Sequence, residues 1–229
     1  MDERDWISLQ RFRIPRKSVN DNGLIGDDSA TDRLRELCET RCKVTTWMSP
    51  RNYKKILNIG SSLGEAIALK KLGYDVTPII VHDAISFEKF GIKAIENDAC
   101  EMLDIPDESI DAVLAIQAFE HIFMPWKALL ECYRVLRVGG RLCINFPVFH
   151  AEEVVTLQHC SLLEPKVFGP MITLTGFKLL HHEVETVQQN ICAEKLSVEE
   201  MINYPDEKLL SAYQSAANMI RQYMAVGKK

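Results

Sequence analysis

The residues with the clearest chemical meaning lie in the run Asn58-Ile59-Gly60-Ser61-Ser62-Leu63-Gly64. A short apolar run, Lys55 to Ile59, enters it, and Glu65 to Leu72, rich in helix formers and closed by Gly73, leaves it. Small residues between a strand and a helix let the backbone approach a ligand, and the helix N-terminus offers unpaired N–H groups. The run lacks the G-x-x-x-x-G-K-[ST] phosphate cradle and the G-x-G-x-x-G dinucleotide spacing, so neither of those chemistries is expected. Cys38-x-x-x-Cys42 sits at helical spacing without two partner ligands, and His181-His182 on a strand would face opposite ways. No metal is expected at either.

The elements that must position this turn alternate. Asp75 to Val81 and Ile92 to Glu96 read as a second and a third strand, with Pro78 late in its strand or beside a bulge because it cannot donate to a ladder. Ile110 to Ile116 is continuously apolar, as a strand covered on both faces should be. Pro125 opens a helix carrying Trp126, Leu129, Leu130, Tyr133 and Leu136 at helical spacing until Gly139-Gly140, and Arg141 to Phe146 is a fifth strand. This alternation predicts an α/β, doubly wound, mostly parallel sheet with helices on both faces and ligands at the carboxyl ends of its strands. Phe177 to His182 and Val187 to Ala193 read as a terminal hairpin, while Ala151 to Ser161 could be a helix or a covering loop. Ser197 with Glu200 forms a capping box, and Leu209, Leu210, Tyr213, Ala217, Ile220 and Met224 mark an amphipathic helix ending at Gly227.

The chain has 229 residues, 47% of them apolar and 26% charged, with a formal net charge of -5 that leaves no basic surplus for long nucleic acid. A single domain is expected over 1–229: a lead and cap at 1–50, a core at 51–150, and a C-terminal hairpin and helices at 151–229. Seven scattered cysteines and a charged start predict reduced thiols and a cytoplasmic protein, and no apolar run is long enough for a membrane span. Arg11, Arg13, Arg16 and Lys17 form a local basic cluster in the lead segment. Nothing in the sequence reports on oligomeric state.

Over roughly residues 54 to 147 the chain resembles the class I S-adenosylmethionine-dependent methyltransferases, in particular the small stand-alone methyltransferase domains. Their first motif, an acid followed by Gly-x-Gly-x-Gly, is met by Asn58 in place of the acid, Gly60, Ser62 in place of the middle glycine, and Gly64, with Ser61 between. Asn97-Asp98-Ala99 resembles the motif that meets the adenine, and Asp83 is nearest the acid that holds the ribose hydroxyls. Gln117-Ala118-Phe119-Glu120-His121-Ile122 and Arg134-Val135-Leu136-Arg137-Val138-Gly139-Gly140 resemble the two later signatures. The resemblance implies a Rossmann-like seven-stranded fold and S-adenosylmethionine as cofactor, leaving S-adenosylhomocysteine. The implied cofactor contacts are Asn58, Gly60, Ser61, Ser62, Gly64, Asp83, Asp98, Ala99, Gln117 and His121. Some members bind a divalent metal through Glu-x-x-Glu-His, and Gln117 in the first position counts against a carboxylate-rich site of that type.

Methyl transfer from a sulfonium needs an oriented acceptor and, for a hydroxyl or amine, a base. His150 is expected first as that base, and His121 first as a cofactor-side contact. The tetrapeptide of base and glutamine amino methylation is absent, as is a Pro-Cys pair, so the expected acceptor is a small molecule, such as a saccharide or lipid-linked precursor, methylated on O or N. Two alternatives stay open: a degenerate methyltransferase fold acting as a ligand- or protein-binding module, suggested by Asn58 and Ser62, and a nucleotide-cofactor oxidoreductase.

Overall fold

The computed structural model describes residues 42–148, 159–161, 164–185 and 188–226. Seven strands form one sheet in the order β3-β2-β1-β4-β5-β7-β6. They are β1 (Lys55–Ile59), β2 (Asp75–Ile80), β3 (Ile95–Glu96), β4 (Ile110–Ile116), β5 (Leu136–Pro147), β6 (Phe177–Val184) and β7 (Gln188–Lys195). The ladders joining β1 to β5 are parallel, and β7 runs antiparallel to both β5 and β6. The helices are α1 (Val44–Trp47), α2 (Leu63–Lys71), α3 (Ile85–Glu88), α4 (Pro125–Val135), α5 (Pro165–Leu174), α6 (Val198–Ile202) and α7 (Glu207–Val226), with a 3-10 turn, η1, at Phe119–His121.

Successive strand residues point to opposite faces, and both faces are apolar. Leu57, Ile59, Val113, Ala115, Leu142 and Ile144 pack with residues of α4, α5, α6 and α7. Ile56, Ala112, Leu114, Ile116 and Cys143 pack on the other side with Val44 and Trp47 of α1 and Ala68 and Leu69 of α2. A sheet greasy on both faces has to be covered twice, which is why the central strands read as continuous apolar runs.

Three boundaries differ from the sequence reading. The second strand stops at Ile80, and in the third only Ile95–Glu96 pairs, because Ile92 packs instead with Ala66, Ile80 and Phe87. Pro78 stands inside the β1–β2 register, opposite Asn58. Ile79 accepts from Gly60 on the β1 side and Ile80 accepts from Asn97 on the β3 side. Pro78 therefore turns its donorless nitrogen toward β3, whose pairing begins only at Ile79, and no ladder bond is lost.

The helix expected to run to Gly139-Gly140 ends at Val135, and β5 begins at Leu136 rather than Arg141. Its register with β4 jumps from Ile110↔Leu136 to Ala112↔Arg141, so residues 137–140 form a bulge. A Cβ at Gly140 would lie 2.8 Å from the Arg137 carbonyl oxygen and 2.9 Å from that of Asp111, which is why glycine is found there. Trp126 and Leu209, expected on buried helix faces, are exposed. The terminal hairpin, the Ser197–Glu200 capping box and the last helix stand where the sequence put them.

Candidate functional site

A cleft opens where β1, β2, β3 and β4 end, lined by Ile59, Gly60 and Ser61, by Ile79 to His82, by Asn97 to Ala99, and by Gln117, Ala118, His121 and Ile122. The first wall is the turn after β1. Gly60 has φ +70° and gives its N–H to the Ile79 carbonyl at 2.9 Å. A Cβ there would stand 2.7 Å from the Ala118 Cβ, so the absence of a side chain lets the β1 and β4 ends close on each other. Asn58, fully buried behind the cleft, donates from Nδ2 to Ser61 Oγ at 2.9 Å, and Ser61 Oγ donates to the Ser62 carbonyl at 3.0 Å. Asn58 Oδ1 has no hydrogen-bond partner among the described residues.

Ser62 lies outside the cleft lining and is the N-cap of α2, its Oγ accepting from the Glu65 N–H at 3.2 Å. Its φ of -80° and ψ of 155° are ordinary extended values, so serine at this motif position costs no backbone strain. Gly64 is in the first turn of α2 and also off the lining.

The second wall joins the ends of β2 and β3. Asp83 has φ +73°, and its Oδ1 accepts from Ser86 Oγ at 2.7 Å; it stands outside the lining, while His82 is part of it. Glu96 Oε1 accepts from the Ala84 N–H at 2.9 Å and ties this turn to β3. Asn97 Oδ1 accepts from the Asp98 N–H, and Asp98 Oδ1 accepts from the Cys100 N–H, both at 2.8 Å, so the adjacent side chains hold this loop in shape. Burial, followed by the Asp98 charge, pushes the Cys100 thiol far above its ordinary pKa, and it is not a nucleophile at neutral pH.

The third wall follows β4. Gln117, at φ +51°, gives its backbone N–H to the Asn145 carbonyl at 2.8 Å and its Nε2 to Asn145 Oδ1 at 2.9 Å. Asn145 Nδ2 in turn donates to Asn190 Oδ1 at 2.8 Å, and the Cys42 N–H also reaches Asn190 Oδ1. A buried amide chain thus runs from the cleft across β5 to β7. His121 ends η1, and its ring centroid lies 4.9 Å from that of His159. Burial and then the neighbouring His121 lower the His159 pKa.

Of the residues named from the sequence, the structure brings Gly60, Ser61, Asp98, Ala99, Gln117 and His121 onto one cleft, with Asn58 directly behind. Ser62, Gly64 and Asp83 stand off it, and His150 and the basic cluster Arg11, Arg13, Arg16 and Lys17 lie outside the described residues. His159 was missed, because the segment before it reads equally as helix or loop and nothing local marks that histidine as facing η1.

This strand order, with one antiparallel strand next to the last, and a cleft at the carboxyl ends of β1 to β4, define a class I methyltransferase fold, Rossmann-like and doubly wound. Residues 57–144 match the family model described as a methyltransferase domain. A Mycolicibacterium smegmatis protein described as a probable S-adenosylmethionine-dependent methyltransferase is 32% identical over 33% of this chain and 35% of its own length. The chain thus spans about a third of that relative.

Among solved structures, the [4+2]-cyclase SpnF superposes with a TM-score of 0.62 at 16% identity, over 77% of this chain and 85% of its own. An Archaeoglobus fulgidus S-adenosylmethionine-dependent methyltransferase gives 0.57 at 15%, over 73% and 94%. The Burkholderia thailandensis 1,6-didemethyltoxoflavin-N1-methyltransferase, crystallised with 1,6-didemethyltoxoflavin and S-adenosylhomocysteine, gives 0.56 at 12%, over 74% and 79%. Among the described residues no helix is long and apolar enough to cross a membrane.

The cleft's residues fit the cofactor this domain implies. Ile79, Ile80, Ala99, Ala118 and Ile122 offer apolar walls for a purine, Asp98 and Asn97 offer polar atoms beside them, and the Gly60–Ser61 turn exposes backbone at the start of α2.

Proposed function

We propose that the protein transfers a methyl group from S-adenosylmethionine to an oxygen or nitrogen of a small-molecule acceptor. The observation that carries this reading is convergence: the methyltransferase-matched segment supplies the cleft from the ends of four neighbouring strands. S-adenosylmethionine supplies a methyl carbon activated by its sulfonium, so the chain has only to hold the nucleoside, orient the acceptor and exclude water. Asp98 and Ala99 take the adenine side, and the Gly60–Ser61 turn with the first turn of α2 takes the amino-acid end. Asp83 takes the ribose hydroxyls, a role that requires its carboxylate to exchange Ser86 for the diol. His150 is the acceptor-side base, with His121 at the cleft wall.

The net charge of -5 supports a small acceptor over long nucleic acid, and seven cysteines scattered at no framework spacing support a reducing, cytoplasmic setting. A second reading, a fold that binds a ligand or protein without turnover, is favoured by Asn58, whose amide donates to Ser61 where the family has an acid. The fold alone does not decide, since SpnF is a cyclase.

Calorimetric titration with S-adenosylmethionine and S-adenosylhomocysteine separates the two readings. Saturable binding of both is expected, weakened about tenfold or more in Asp98→Ala, the loss of one hydrogen bond to a charged group. An acceptor screen would then include His150→Ala, and undiminished turnover removes that histidine from the mechanism. No heat from a folded sample at millimolar ligand favours the module without turnover.

A further inference from the structure

Glu120, His121 and His159 each present a ligand atom, and these atoms all lie within 4.8 Å of one another. Glu120 is only 1% exposed, and both histidines are half-buried. The sequence separates His159 from Glu120 by 39 positions, yet the two segments are tied. The Ser161 N–H donates to the Glu120 carbonyl at 3.1 Å, Ser161 Oγ donates to the Ile122 carbonyl, and Cys160 Sγ donates to the Glu120 carbonyl at 3.7 Å. Residues 159–161 are thus hydrogen-bonded along η1, and the His159 ring is held against that of His121.

We propose that Glu120, His121 and His159 form a binding site for one divalent transition-type cation at the edge of the cleft. Two imidazoles and one carboxylate make a nitrogen-rich set, which suits zinc, manganese, iron(II) or cobalt; magnesium and calcium prefer oxygen donors throughout. Metal–ligand distances of about 2.0–2.2 Å place neighbouring ligand atoms roughly 3.3 Å apart, so side-chain rotations of about an ångström close the site. Three protein ligands leave coordination positions open, as in catalytic rather than structural sites. His121 lines the cleft, so those positions adjoin the space where an acceptor would meet the cofactor.

The expectation of no metal rested on Gln117 standing where a first glutamate would be. Gln117 is engaged with Asn145, and the third ligand comes instead from His159, on a segment whose path the sequence does not reveal. Cation binding is independent of the proposed methyl transfer; only a role toward an acceptor oxygen rests on that reading.

The test titrates chelator-treated full-length protein with Co2+ and follows the visible d–d absorption. One equivalent is expected to bind without a thiolate charge-transfer band, and an equal concentration of Mg2+ should not displace it. Affinity should fall at least tenfold in both His159→Ala and the near-isosteric Glu120→Gln, each checked for folding by its thermal midpoint, with His159→Gln replacing any variant that fails to fold. No cobalt spectrum, a spectrum unchanged in the folded variants, or a thiolate band lost in Cys160→Ser would each overturn the site. S-adenosylmethionine titration of the same samples keeps the outcomes apart, since a lost cobalt site with intact cofactor binding sinks the metal alone.

Discussion

At the scale of single residues, the turn after β1 shows that a motif position and its physical demand are separable. Ser62 stands where the family has glycine, yet its backbone is extended and its hydroxyl caps α2, so the substitution exchanges an unneeded freedom for a cap. Gly60 is the opposite case, because both its φ of +70° and the 2.7 Å approach to Ala118 exclude a side chain. Gly60→Ala should therefore destabilise the protein by about 1–2 kcal/mol from the left-handed backbone alone, with the Ala118 contact adding to it. It should also weaken cofactor binding, since relief requires the turn to move away from the cleft. Denaturant unfolding and calorimetry on the same variant check this; a Gly60→Ala protein equal to the parent in both would show that the turn is not held as described.

At the scale of elements, the signature at the end of α4 acts on a loop rather than on the cleft. Arg134 donates to Glu131, to the Met102 and Ile105 carbonyls and to Asp107, while Glu131 also accepts from the Met102 N–H and the Tyr223 hydroxyl. One guanidinium thereby staples the loop between β3 and β4 onto α4, and its carboxylate partner adds α7. With Glu131 almost fully buried, Arg134→Ala leaves an uncompensated charge, and a loss of about 3–5 kcal/mol is expected. A thermal midpoint lowered by roughly 10 °C would agree, and a shift within error would not. The same elements show what was legible in the sequence. β1, its turn, β4 and the terminal hairpin could be read because apolar runs and turn residues act locally. The long β5 could not, because its bulge is set by Asp111 across the ladder, nor could His159, whose place is fixed by contacts 39 residues away.

At the scale of the whole molecule, the cleft and the stabilising charges occupy opposite ends of the sheet. Asp111, at the start of β4, accepts from the Lys54 and Lys55 N–H groups at 2.9 and 2.8 Å and from Arg137 Nε at 2.8 Å, joining β1, β4 and the β5 bulge far from the cofactor cleft. Burial alone would raise its pKa, but the hydrogen bonds from Lys55, Arg137 and Lys54 outweigh that and leave it below its ordinary 3.8. Glu131 is likewise held below its ordinary 4.5, the Arg134 and Tyr223 bonds outweighing a larger burial penalty. A carboxylate with a depressed folded pKa contributes stability that is complete above its unfolded pKa and lost as pH falls through the folded one. Unfolding free energy should therefore hold near neutrality with respect to these two groups and decline as pH drops below about 4.5. Asp111→Asn isolates one of them: the variant should be less stable than the parent at pH 7, and the gap should narrow steadily below about pH 4 as the parent's own carboxylate takes up its proton. Denaturant unfolding of both proteins at pH 7, 5, 4 and 3 reads that gap directly. A gap that stays constant with pH would mean that Asp111 acts through shape alone, and a gap that widens would reverse the sign of its linkage.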